Sequence, residues 1–174
     1  WIQRIAAVLF IPVVAAATLL VYYQNGEESI SPQIWKMNVK PGMTASLTLP
    51  DSTIVYLNSG SSLSYPSFFS GKKREVALSG EAYFQVTPNA NKKFIVSTPH
   101  QSRIEVLGTC FNIEAYEQDN EITTTLIKGK VNFLYNQNDS TRQIALSPSQ
   151  KLIYTPETNK VKLTKTTGIS ETAW

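Results

Sequence analysis

The sequence predicts an all-β domain, a sandwich or barrel of about a dozen short strands, carried behind one N-terminal membrane helix. Three observations predict it. Residues 5–23 (IAAVLFIPVVAAATLLVYY) form an uncharged apolar run of nineteen residues. After it, apolar and polar residues alternate with a period of two, the pattern of half-buried antiparallel strands. Gly, Pro, Asn or Ser breaks this alternation roughly every ten residues, and no later stretch shows a helical period.

The apolar run comes first. At about 1.5 Å per helical residue it spans roughly 28 Å, close to the hydrocarbon core of a bilayer. Ten of its residues are Val, Ile, Leu or Phe, which together favour insertion by roughly 3–6 kcal/mol. Trp1 lies near one end, and Tyr22 and Tyr23 at the other, as interfacial aromatics do. Arg4 precedes the run while Glu27 and Glu28 follow it, so the positive-inside rule predicts a cytoplasmic N-terminus and an external β domain. Pro12 predicts a kink, which membrane helices tolerate. A cleaved signal peptide is the competing reading, with Ala15-Ala16-Ala17 as its cleavage site, but the apolar residues continue to Tyr23. A buried core helix would carry a polar stripe, and none interrupts the run.

The predicted organisation is a transmembrane helix over 1–23, a juxtamembrane linker and first strand over 24–43, the β domain over 44–165, and the start of a linker over 166–174. Strands are predicted at Ser46–Leu49, Thr53–Leu57, Arg74–Leu78, Ala82–Thr87, Phe94–Thr98, Arg103–Leu107, Phe111–Tyr116, Ile122–Ile127, Lys130–Leu134, Ile144–Leu146, Lys151–Tyr154 and Val161–Thr164. Thr, Val, Ile, Tyr and Phe fill them. Leu49–Thr53 reads as a tight turn, and Ser79-Gly80 and Lys128-Gly129 as two more. No exact repeat occurs, which argues against a regular solenoid and leaves an irregular β-solenoid as the alternative fold.

Composition narrows the chemistry. The net charge of +3 is modest and the lysines are scattered. Lys72-Lys73-Arg74 is the one basic run, and beside Gly71 it reads as a solvated turn, without the interleaved aromatics of a nucleic-acid surface. One cysteine forbids an internal disulfide. The single histidine, His100, falls in a polar turn, and no nucleophile motif accompanies it. Cys110 shares a strand face with Asn112 and Glu114, opposite Phe111, Ile113 and Ala115, and reads as a packing residue. Asp51, Glu81, Glu105 and Glu114 could supply a glycosidase pair, but so could any acids on a surface. No catalytic, cofactor-binding or metal-ligating residue is predicted.

The middle of the chain resembles the FecR family of membrane-bound sigma-factor regulators. Leu49-Pro50-Asp51-Ser52-Thr53-Ile54-Val55-Tyr56-Leu57-Asn58 is similar to L-P-D-G-S-x-V-x-L-N. Ser61-Ser62-Leu63-Ser64-Tyr65-Pro66 is similar to S-x-L-x-Y-P. Residues 74–86 (REVALSGEAYFQV) are similar to R-x-V-x-L-x-G-E-A-x-F-x-V, and residues 106–113 (VLGTCFNI) to V-L-G-T-x-F-N-V. Lys93-Phe94-Ile95-Val96 resembles P-F-x-V, and Gly129-Lys130-Val131 fits G-x-V. Ser52 replaces the turn Gly, which argues against a turn of positive φ there, and Lys93 replaces Pro. The matching positions Leu49, Pro50, Asp51, Leu57, Asn58, Arg74, Gly80, Glu81, Phe84, Val86, Gly108, Thr109, Phe111, Asn112 and Gly129 are read as fold-specifying. Gly80 and Gly108 suit tight connections of positive φ, and Asn58 and Asn112 suit bonds to nearby backbone.

The resemblance implies a jelly-roll-like periplasmic β-sandwich in a single-pass inner-membrane protein. It implies a sigma factor as partner through a preceding region and a TonB-dependent outer-membrane transducer through a following one. A chain running from Trp1 to Trp174 is then expected to be a segment of a longer protein, with Trp174 leading into a further domain. The competing function is a membrane-tethered β-sandwich that binds a glycan or protein at the envelope. It would need Tyr83, Tyr116 or Tyr135 to cluster on the surface.

Overall fold

The computed structural model describes residues 12–21, 31–137 and 140–167. The chain divides into two compact units, residues 1–31 and 32–174. In the first, residues 12–21 form helix α1, with every side chain exposed. Thr18 Oγ1 donates to the carbonyls of Val14 (3.0 Å) and Ala15 (2.9 Å), a local bond that satisfies a hydroxyl in an apolar helix. Among the described residues no helix is long and apolar enough to cross a membrane. The expected span, 5–23, lies partly outside them.

The described residues of the second unit form one curled sheet of thirteen strands. One half contains β1 (Ile34–Asn38), β4 (Ser62–Pro66), β6 (Lys93–Ser97), β7 (Arg103–Val106), β10 (Val131–Gln137) and β11 (Ser140–Leu146). The other contains β2 (Ala45–Thr48), β3 (Ile54–Leu57), β8 (Cys110–Ala115), β9 (Ile122–Lys128), β12 (Gln150–Thr155) and β13 (Lys160–Lys165). The strand β5 (Lys73–Gln85) belongs to both halves. Its first residues pair with β4 and, in parallel, with β6. From Gly80 onward it pairs with β3 and β8.

Hairpins then alternate between the halves. β6–β7 and β10–β11 join one half, β8–β9 and β12–β13 the other, and each later hairpin pairs with the previous one in its half. The core lies between the halves. Phe84 on β5 meets Phe94 on β6 (6.1 Å between centroids), and Tyr154 on β12 meets Phe133 on β10 (5.6 Å). Period-two burial along β5 puts Arg74, Val76, Leu78, Ala82 and Phe84 inward.

The all-β class and the two facing layers are present. A jelly roll of separate antiparallel sheets is not: one sheet is shared through β5, and it contains a parallel pair. The predicted strands at Arg74–Leu78 and Ala82–Thr87 are one strand, so Ser79-Gly80 is no turn. β4 escaped prediction because Ser alternates with Leu63 and Tyr65 and a Pro closes the run. β11 starts at Ser140 rather than Ile144 because its first residues are exposed and polar.

Candidate functional site

The family-pattern polar residues gather at three places: one turn within a half, and two points where backbone passes between the halves. The first is the Leu49–Thr53 turn. Ser52 N–H donates to the Leu49 carbonyl at 2.9 Å, and Ser52 takes φ of 66°. The turn is therefore left-handed despite lacking Gly, against the expectation from Ser52. It presents Asp51, which accepts bonds from the Thr53 N–H (3.1 Å) and hydroxyl (2.8 Å). Arg74 Nη1 reaches the same carboxylate at 2.6 Å and the Thr87 carbonyl at 2.8 Å. Its Nε donates to the Lys92 carbonyl at 3.0 Å, and its guanidinium carbon lies 5.4 Å from the Phe94 ring centre. The Arg74 side chain is 2 % exposed. The expectation of a solvated Lys72-Lys73-Arg74 turn is corrected here. Two lysines are exposed, but period two with Val76 and Leu78 turns Arg74 into the core, where a charge needs a partner.

The second place is Gly80. Its φ is +111°, and a Cβ there would lie 2.5 Å from Ser61 Oγ, so only Gly lets β5 cross between layers against the β3–β4 connection. Ser61 Oγ accepts from the Glu81 N–H (2.9 Å) and donates to the Glu81 carbonyl (3.0 Å). The Glu81 carboxylate accepts from Asn58 Nδ2 (2.6 Å) and Asn112 Nδ2 (2.8 Å). Tyr116 closes the cluster by donating to the Ser59 carbonyl at 2.9 Å. Glu81 thus joins β5 to β8 and to the loop after β3. The side chains of Asn58 and Asn112 bond this carboxylate as well as, for Asn58, the Ser59 N–H.

The third place is the crossing at Gly108 and Gly129. Gly108 lacks the positive φ expected of it; a Cβ there would meet Pro88 Cα at 2.6 Å. Gly129 has φ of +99°, and a Cβ would meet the Gly108 carbonyl at 2.9 Å. Thr109 Oγ1 donates to the Lys130 carbonyl at 3.0 Å. A groove of about 440 Å³ opens beside this crossing, lined by Leu107, Lys130 and the 2.9 Å Lys93–Glu105 ion pair. Leu49, Leu57, Phe84, Val86 and Phe111 are buried in the core, while Pro50 is exposed on its turn.

The acids weighed for a glycosidase are engaged: Asp51 with Arg74, Glu105 with Lys93, Glu81 with two amides. Glu114 stands opposite Glu81 across β5–β8. Burial, and then the Glu81 charge, pushes its carboxyl up from the ordinary value, with Lys151 opposing. Burial, and then Cys110, pushes the Tyr83 phenol up. His100 is exposed in the β6–β7 turn, and Cys110 is a half-buried free thiol. Among the described residues no three His, Cys, Asp or Glu side chains converge to hold a metal ion. The tyrosines of the competing reading do not cluster. Tyr135 is 8 % exposed and packs against Tyr154 in the core, Tyr116 holds Ser59, and Tyr83 pairs with Tyr56 on the outer face of β5 and β3.

Sequence reasoning missed the partners of Arg74 and Glu81. The inward phase of Arg74 was readable from Val76 and Leu78, whereas nothing local pairs Glu81 with residues 23 and 31 positions away.

Two solved structures from Parabacteroides distasonis ATCC 8503, both provisionally assigned as an anti-sigma factor, share this fold. One, at 2.50 Å resolution, is 32% identical over 82% of this chain and 64% of its own, with a TM-score of 0.74. The other, at 1.65 Å, is 32% identical over 80% of this chain and 64% of its own, with a TM-score of 0.73. This chain therefore spans 64% of the length of each, less than two thirds. No curated protein matches it. The FecR protein pattern matches residues 36–132, from β1 into β10 and through all three places. The chain belongs to the FecR family.

Proposed function

We propose that this chain is the span and central domain of a single-pass inner-membrane regulator of an extracytoplasmic-function sigma factor. Its N-terminus is cytoplasmic and its β domain periplasmic. The protein passes a signal from a TonB-dependent outer-membrane transducer to the sigma factor. One observation carries the reading: the FecR match lies over the same curled sheet that is shared with structures assigned as anti-sigma factors. The uncharged run 5–23 supports the span. The Asp51–Arg74 and Glu81–Asn58–Asn112 clusters support a scaffold role, because their family-pattern polar groups bond to one another.

The test is a sigma-dependent reporter in cells carrying the whole protein, with and without inducer, alongside alkaline carbonate extraction. The β domain is expected in the membrane pellet; a soluble β domain with a new N-terminus after Ala17 refutes the span. Phe84→Ala removes a fully buried ring stacked 5.2 Å from Phe111. It is expected to cost roughly 3–5 kcal/mol and to disturb sigma control. His100→Ala is expected to leave control unchanged. Loss of the response in His100→Ala at normal protein level refutes the scaffold reading.

A further inference from the structure

We propose that the groove where the chain enters the β domain docks on the anionic lipid surface of the membrane holding the expected span; the proposal rests on the single-pass reading above. This groove, about 450 Å³, has Ile34, Pro66, Phe68 and Phe69 among its walls, with Lys72 and Lys73 beside them. Glu75 also lines it and pairs with Lys73 at 3.7 Å. Apolar groups here face water: Ile34 is 65 % exposed and Phe68 39 %. Apolar and aromatic tips beside lysines are the composition that settles at a headgroup boundary.

Charge favours the same occupant. Of the charged residues lining the groove, two are the exposed Lys72 and Lys73 and one is Glu75, so its charge is net positive. Each lysine near an anionic leaflet adds attraction within about 10 Å of the surface. The groove is preformed. Ser67 N–H donates to the Gln33 carbonyl at 2.7 Å, and Gln33 N–H donates to Ser67 Oγ at 3.1 Å, pinning the arriving chain. Lys92 Nζ donates to the Phe69 carbonyl at 2.8 Å.

Reach favours it too. Pro32 lines this groove, and only residues 24–31 separate it from Tyr23. Fully extended, that link covers at most about 30 Å. A tethered groove needs far less affinity than a free one, because the tether sets a high effective concentration of surface.

The test reconstitutes the whole chain, with Cys110→Ser, into vesicles and places an environment-sensitive fluorophore on Phe68→Cys, Asp119→Cys or Val14→Cys in turn. Lipid-borne spin probes then report depth. In phosphatidylglycerol-containing vesicles the label at 68 is expected to be quenched, and the label at 119, on another loop, is not. Lys72→Glu with Lys73→Glu is expected to lower the docked population at least about tenfold. Absence of quenching at 68, or equal quenching in purely phosphatidylcholine vesicles, overturns the proposal. The label at 14 reads the span separately: quenching there without quenching at 68 leaves the span standing and removes the docking, while the reverse result keeps docking and removes the span.

Discussion

Arg74→Met is expected to destabilise the β domain by about 3 kcal/mol. The magnitude follows from what the substitution leaves behind. Breaking a buried pair by removing one partner costs about 3–5 kcal/mol, chiefly because the other charge stays buried. Here the stranded group is Asp51, whose side chain is 13 % exposed. It keeps two bonds from Thr53, so its loss falls towards the lower end. The Thr87 and Lys92 carbonyls each lose a donor. Against this, Arg74 Nη2 is buried without a partner, a penalty of about 1–3 kcal/mol that the substitution relieves. Methionine also keeps apolar contact with the Phe94 ring. In thermal unfolding followed by circular dichroism, a loss of this size lowers the midpoint by on the order of 10 °C. Adding Asp51→Asn to Arg74→Met is expected to restore at least half of the loss, since the double variant strands no charge. Stability within about 0.5 kcal/mol of the native chain for Arg74→Met, or a double variant as unstable as the sum of the singles, refutes the argument that this pair clasps the layers.

Three further outcomes are expected. Ser52→Gly relieves a left-handed residue with φ of 66° and should raise stability by roughly 0.5–1 kcal/mol; a fall in the denaturant midpoint contradicts it. Glu81→Ala removes bonds to Asn58 and Asn112 and should cost about 1–3 kcal/mol, with Glu81→Gln losing about half as much; equal midpoints for all three chains would show that the cluster contributes nothing. Glu114 has a folded pKa raised above 4.5 by burial and the Glu81 charge, so ionising it opposes folding. Glu114→Gln should therefore stabilise at neutral pH, and the advantage should fade as pH falls through the raised pKa towards the ordinary value. A difference in melting temperature that stays constant with pH refutes that assignment.

Most strands were legible because period two survives wherever one face is buried. Ile104 and Val106, or Ala82, Phe84 and Val86, carry the phase without help from neighbours. The layer in which each strand sits was not legible. Gly80 is the reason: in sequence it resembles the corner of a turn, and its function is to keep a thirteen-residue strand continuous while its partners change. Ser52 was misread for a related cause. The turn's geometry is held by the Leu49 carbonyl and Asp51, so a residue that tolerates left-handed backbone poorly is carried into it by its surroundings. At the clasps, alternation foretold which way Arg74 points but not that Asp51, 23 positions earlier, would meet it.

That placement bears on how a regulator of this family could carry a signal. Its polar pattern residues are consumed in holding β3, β5 and β8 to the connections around them, each with a partner inside the fold. Groups so engaged cannot also recognise a ligand without breaking a bond that costs on the order of 1–3 kcal/mol. Recognition must then fall to exposed side chains, and these are distributed unevenly. Ile34, Phe68, Lys72 and Lys73 lie where the chain arrives, whereas Leu107 and Lys130 border the groove at the Gly108–Gly129 crossing. The two grooves meet at one end of β6: Lys93 lines one, and Lys73, paired in register with Lys93 and next to Arg74, lines the other. A change at either groove therefore meets the same clasp. The coupling can be measured as a double-mutant cycle between Arg74→Lys and Lys93→Ala on sigma-reporter output at matched protein levels. Independent effects, adding within about 0.5 kcal/mol when converted to free energy, would refute a shared link through β6.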